Sequence, residues 1–143
     1  MEELALYILD IIENALRAGA NLVQVDINEA PTKNEYQLTI ADNGSCAECG
    51  APRKVGLGVS MIKEAAEITK GSFSIDSKVG SGTKITALFQ HSNSDRPELG
   101  DIEGTFSLLI ASHPKEDYIY NHTTPQGTFC LDTRDIKKLF VSS

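Results

Sequence analysis

The chain reads as an α+β protein of the order helix-strand-strand-helix-strand-strand. Three observations predict this. Two segments carry apolar residues at helical spacing, and two pairs of alternating segments each close on a turn-forming stretch. Glycine-bearing turns also fall where helix and strand periods change.

Residues 2 to 18 form the first helix by pattern. Leu4, Ile8, Ile11, Ile12 and Ala15 make its apolar face, and Gly19 supplies the stop. Tyr7, Asp10, Asn14 and Arg17 fall along another side, with Glu13 at the edge of that stripe. Leu22 to Ile27 and Tyr36 to Ile40 alternate apolar and polar, joined through Pro31 to Glu35, as a hairpin does. The second strand runs into Asp42-Asn43-Gly44-Ser45, a turn signal. Residues 45 to 55 carry no period and read as loop. A second helix opens at Gly56-Leu57-Gly58-Val59 and stops near Gly71. Phe73 to Ser77 and Lys84 to Phe89 form a second hairpin across Gly80-Ser81-Gly82-Thr83. Beyond Gln90, residues 91 to 100 are a polar loop, and residues 101 to 112 suit a helix or a strand. Tyr118 to Tyr120 with Thr128 to Leu131 suits a short hairpin, and Asp132-Thr133 would cap a last helix over Asp135 to Val141.

At 143 residues the chain is long enough for a proper core, and 41% hydrophobic with 23% charged residues is ordinary for a globular protein. A net charge of -7 with no basic cluster disfavours a nucleic-acid backbone as partner. No apolar run approaches membrane-spanning length, and the amino terminus is acidic and amphipathic rather than a signal peptide. Three cysteines without such a signal point to a reducing cytoplasm. Cys46-Ala47-Glu48-Cys49 is half of a zinc or redox motif. Cys130 and His91, His113 or His122 complete a set only if the tail folds back, and two loop thiols are the plainer reading.

Glycines ahead of a helix let backbone amides approach an anion, and the helix dipole favours negative charge there. A phosphate site is therefore a candidate at Gly56, Leu57, Gly58 and Val59. With Asp10 and Asn14 on the first helix, Asp42-Asn43-Gly44 after a strand, and Gly80-Ser81-Gly82-Thr83 between strands, residues 4 to 90 resemble a known ATP-binding domain. It is the one shared by gyrase, the heat-shock chaperone, histidine kinases and MutL.

The resemblance implies a Bergerat-type fold, a two-layer α/β sandwich with helices on one face of a mixed, largely antiparallel sheet. It implies ATP or ADP with Mg²⁺ as cofactors. Asn14 matches the Mg²⁺-binding asparagine, and Asp10 matches the position of the water-activating glutamate, one methylene shorter; Glu13 is the backup base. Asp42 matches the aspartate that accepts from the adenine amino group, Gly44 leaves room for the base, and Thr83 matches a hydroxyl near it. Arg53 or Lys54 would add positive charge at the phosphates.

The chain departs from the family pattern at Cys46, where a glycine is usual, and in residues 45 to 55, too short for the usual mobile lid. Residues 91 to 143 form an extension on or beside the 1 to 90 domain. It resembles the tail of small stand-alone histidine-kinase-like proteins of anaerobic bacteria through Asp95-Arg96-Pro97, Leu99-Gly100-Asp101 and Leu131-Asp132-Thr133-Arg134. The expected activity is Mg²⁺-dependent adenine-nucleotide binding with slow hydrolysis or phosphotransfer to a protein partner. The alternative is a sensing or scaffold module without chemistry.

Overall fold

A computed structural model describes residues 3–44, 57–78, 82–93 and 96–134. Residues 45–56 and 79–81 lie outside these, and with them Arg53, Lys54, Gly56 and both cysteines of the Cys-x-x-Cys, as does the expected last helix.

Helix α1 (Leu4–Arg17) buries Leu4, Ala5, Tyr7, Ile8, Ile11, Ile12 and Ala15. It ends in a Schellman motif. Gly19 adopts φ 90°, the Gly19 N–H donates to the Leu16 carbonyl and the Ala20 N–H to the Ala15 carbonyl. Strands β1 (Leu22–Ala30) and β2 (Glu35–Asp42) form the expected hairpin over a 3₁₀ turn at Pro31–Lys33. Helix α2 (Leu57–Ile68) follows, then the antiparallel pair β3 (Ser72–Lys78) and β4 (Gly82–Gln90).

The ambiguous segment after residue 100 is helical. α3 (Ile102–Ser112) buries Ile102, Thr105, Phe106 and Leu109, spaced i, i+3, i+4, i+7, and the Asp101 carboxylate caps it by accepting from the Gly104 N–H at 3.0 Å. Strands β5 (Asp117–Thr124) and β6 (Gly127–Asp132) pair antiparallel as expected.

Among the described residues these elements make three helices and one six-stranded mixed sheet of order β3-β4-β2-β1-β5-β6. Only β1 and β5 run parallel. The tail therefore adds α3 and two strands to the sheet of the first 90 residues. It also finishes α1. Backbone carbonyls of Glu98 and Leu99 accept from the Leu4 and Ala5 N–H groups at 2.8 Å, two of the amides a helix start leaves without internal partners. Glu3, at the cap position, supplies no side-chain bond.

The sheet buries one face. Val23, Val25 and Ile27 on β1, Tyr36, Leu38 and Ile40 on β2, Ile85, Ala87 and Phe89 on β4, and Tyr118 and Tyr120 on β5 join the apolar sides of the helices in one core. The alternate residues stay wetter. On that opposite side the Asp26 carboxylate accepts from Gln24 and from Asn121, the latter at 2.7 Å.

Candidate functional site

The end of β2 and the start of β4 bring Asp42 and Thr83 together. The two are directly paired across the antiparallel ladder, so their side chains share a face. Asp42 Oδ1 accepts from the Gly44 N–H at 2.9 Å, a local turn that fixes the carboxylate at the strand end. Thr83 is buried, and its hydroxyl meets the Ser77 hydroxyl of β3 at 2.9 Å. Beside them Gly82 adopts φ +104°, and a Cβ there would lie 2.0 Å from the Asp42 carbonyl oxygen; only glycine lets the strand enter this close. Gly44 packs against α1, with its Cβ position 3.0 Å from the Ala15 carbonyl oxygen. That places Asp42 and Thr83 at the end of the sheet that faces the second half of α1, where Asn14 sits.

The middle residue of the Asp-Asn-Gly turn has a different task. Asn43 Oδ1 accepts from the Asn21 and Leu22 N–H groups, and its Nδ2 donates to Asn21 Oδ1 at 2.6 Å. It ties the loop after α1 to the end of β2, so the site's two walls meet at a fixed spacing.

The α2 start packs onto α1 with no room to spare. A Cβ on Gly58 would lie 2.6 Å from the Tyr7 carbonyl oxygen and 2.9 Å from Asp10 Oδ2. The Gly58 N–H donates to Asp10 Oδ2 at 2.8 Å, so an acidic side chain of α1 caps α2 across the interface. Val59 is buried among the apolar core, where its side chain packs.

The remaining expected residues are engaged at the surface. Asn14 Oδ1, the oxygen expected to reach Mg²⁺, accepts from Arg17 Nη1 at 3.0 Å. Glu13 pairs with the same Arg17 at 3.9 Å, with the arginine side chain 74% exposed. A solvated pair of that kind contributes under about 1 kcal/mol and yields readily to another partner. Asp42, Gly44 and Thr83 thus meet at the strand end beside Ala15 of α1, Asp10 and Gly58 meet where α2 packs on α1, and Asn14 turns to Arg17. Glu13 turns to it as well.

A second polar cluster lies where β1 ends, and the sequence carries no local signal for it. Glu29 accepts from His91 Nε2 at 2.9 Å and from His122 Nε2 at 2.5 Å, with all three side chains roughly four-fifths buried. His122 Nδ1 lies 3.1 Å from the Tyr120 hydroxyl, and Arg96 stacks 4.3 Å above the Tyr36 ring. Burial acts to raise the Glu29 carboxyl, but hydrogen bonds from His122 and His91 outweigh it and hold the group below the ordinary carboxylate value. Burial, and then the charges of Glu103 and Glu29, push the Tyr120 hydroxyl up to about 12.

Two of the three histidines considered as partners for cysteine, His91 and His122, therefore serve a carboxylate. Cys130 is exposed and pairs across from Asn121, one residue out of step with His122. Among the described residues no group of three His, Cys, Asp or Glu side chains is arranged to hold a metal ion, and no helix is long and apolar enough to cross a membrane. Compared with known protein families and with curated proteins, the chain matches none.

Proposed function

We propose that this chain binds an adenine nucleotide with Mg²⁺ in a Bergerat-type site, and that it hydrolyses ATP slowly or passes its phosphoryl group to a protein partner. The observation that carries the reading is the meeting of Asp42, Gly44 and Thr83 with the Asn14 half of α1. These residues are distant in sequence and share one end of the layer. An aspartate accepts from an exocyclic amino group, and so selects adenine over guanine, which presents an oxygen at that place. The glycine leaves a flat ring its space.

The Mg²⁺ site is tested by its donor. Asn14 offers a neutral amide oxygen whose present partner is a solvated arginine. That suits an ion which takes one or two protein oxygens and fills its shell with phosphates and water. When bound, Mg²⁺ would neutralise phosphate charge, and Asn14 would hold it on the α1 side.

A second reading is a sensing or scaffold module that binds nucleotide without turning it over. The Asp10–Gly58 hydrogen bond favours it, because the carboxylate expected to activate water is committed to a backbone amide.

Thermal unfolding with ATP, ADP and GTP, with and without Mg²⁺, tests the binding. A ligand at about a hundred times its Kd stabilises the native state by about 2.7 kcal/mol, or about 5–10 °C for a chain of this size. The expected result is a Mg²⁺-dependent rise with adenine nucleotides only, lost in Asp42→Asn. Equal shifts with GTP, or none with any nucleotide at millimolar concentration, would refute the adenine assignment. Turnover by the wild type that Asp10→Asn abolishes would select the enzyme over the sensor.

A further inference from the structure

We infer that the outer edge of β6 docks a second copy of this chain, strand against antiparallel strand, about a two-fold axis at Cys130. The inference concerns a different part of the molecule and stands apart from the nucleotide reading.

The strand order leaves β3 and β6 at the two edges of the sheet. A free edge presents a row of N–H and C=O groups, and proteins guard it with charges, prolines or bulges. β3 carries Asp76 and ends at Lys78. β6 has no such guard before Asp132. It pairs residue for residue with β5, without a bulge, and contains neither lysine nor proline. Gly127 to Cys130 are exposed in succession, and Phe129 is 54% exposed although its ring lies 5.9 Å from that of Tyr120. Among the described residues, β5 is the sole strand partner of β6.

The sequence of β6 fits itself in one register. A two-fold axis normal to the sheet keeps every side chain on its own face, so the strand can meet a copy of itself. With the axis at Cys130, Phe129 faces the second copy's Leu131, and Thr128 faces its Asp132. Phe129 and Leu131 lie on the helix-covered side, across from His122 and Tyr120, so each exposed ring gains an apolar neighbour. On the other side, Thr128 sets a hydroxyl beside a carboxylate that Arg134 already pairs at 2.8 Å. No like charges oppose each other. An axis at Phe129 would stack that ring on its copy but leave Leu131 against Gly127. The Cys130 register therefore covers the most apolar surface, and it joins the two sheets into one with the helices of both copies on the same side.

Two measurements test the contact. Sedimentation of the wild type up to about millimolar concentration should show a reversible monomer–dimer equilibrium, lost in Phe129→Lys, which places an edge charge against Leu131. The second needs no change at the apolar pair. With Cys46→Ser and Cys49→Ser, Cys130 is the only thiol left. Directly opposed residues on paired strands stand about 4.5–5.5 Å apart, within reach of a disulfide. Oxidation with copper phenanthroline, which takes up two electrons as two thiols lose their protons, should link two copies there. Moving the thiol by Thr128→Cys with Cys130→Ser sets the two positions about 13 Å apart and should abolish the link.

A wild type that stays monomeric would overturn the inference, and an edge covered by residues 135–143 would give that result. A dimer that survives Phe129→Lys, or that links equally well through position 128, would overturn it too by placing the contact elsewhere.

Discussion

The two ends of the helix-covered layer both hold carboxylates, and they satisfy them by different means. At one end Asp42 is met by a backbone amide, that of Gly44, as Asp10 is by that of Gly58 where α2 packs on α1. At the β1 end, Glu29 is met by two side chains drawn from β5 and from just beyond β4. A backbone amide at a helix start or turn is a donor that another oxygen could use equally well. Two imidazoles brought in from 62 and 93 residues away make a clasp that joins strands. The same chemical group is held by local backbone in one place and joins distant strands in the other, according to who donates to it.

The largest test of that contrast is Gly58→Ala. The added methyl meets the Tyr7 carbonyl at 2.6 Å, which forces α2 off α1. Denaturant unfolding should show a loss of about 2–3 kcal/mol, with nucleotide binding lost as well. A neutral result would mean that the two helices are not clamped.

Glu29→Ala comes next and should separate the two ends. It leaves two partly buried imidazoles without their acceptor and should cost about 1–3 kcal/mol of stability. Nucleotide affinity, measured at a temperature where the variant is folded, should stay within a factor of two. A large fall in affinity would join what the comparison holds apart.

The pH dependence sharpens the same point. The Glu29 carboxyl lies lower in the folded chain than its ordinary value of 4.5, so the unfolded state binds its proton first as the solution is acidified. Its contribution is complete above that ordinary value and is lost as pH falls through the folded one. The stability gap between wild type and Glu29→Gln should therefore be full above the ordinary value of 4.5 and narrow as the pH falls below it. Urea midpoints at pH 7 and pH 3.5 measure it, and a gap that grows on acidification would reverse the sign.

The smallest effect is expected from Ser77→Ala. It removes the hydroxyl beside Thr83 and leaves the sheet intact. ATP affinity should fall about twofold, with threonine restoring it. No change would leave Thr83 positioned by burial alone.

Local order was legible because it is written in neighbouring residues. The α1 period, the Gly19 stop, both early hairpins and the β5–β6 hairpin follow from spacing and turn chemistry that need no distant partner. The pairing of Asp42 with Thr83 is a step further, since strand alternation limits each side chain to two faces but does not choose the neighbour.

Only the tertiary structure decided the rest, and the reason is common to every case. Non-local hydrogen-bond partners leave no mark on local sequence. Nothing around Glu98 and Leu99 announces that their carbonyls will complete the start of α1, and no spacing rule links Glu29 to His91 and His122. The chain by itself determined the α+β order of elements and the residue types at the site. The fold decided which of those residues already have partners, and so made Asp10, a candidate base by position, the cap of a neighbouring helix.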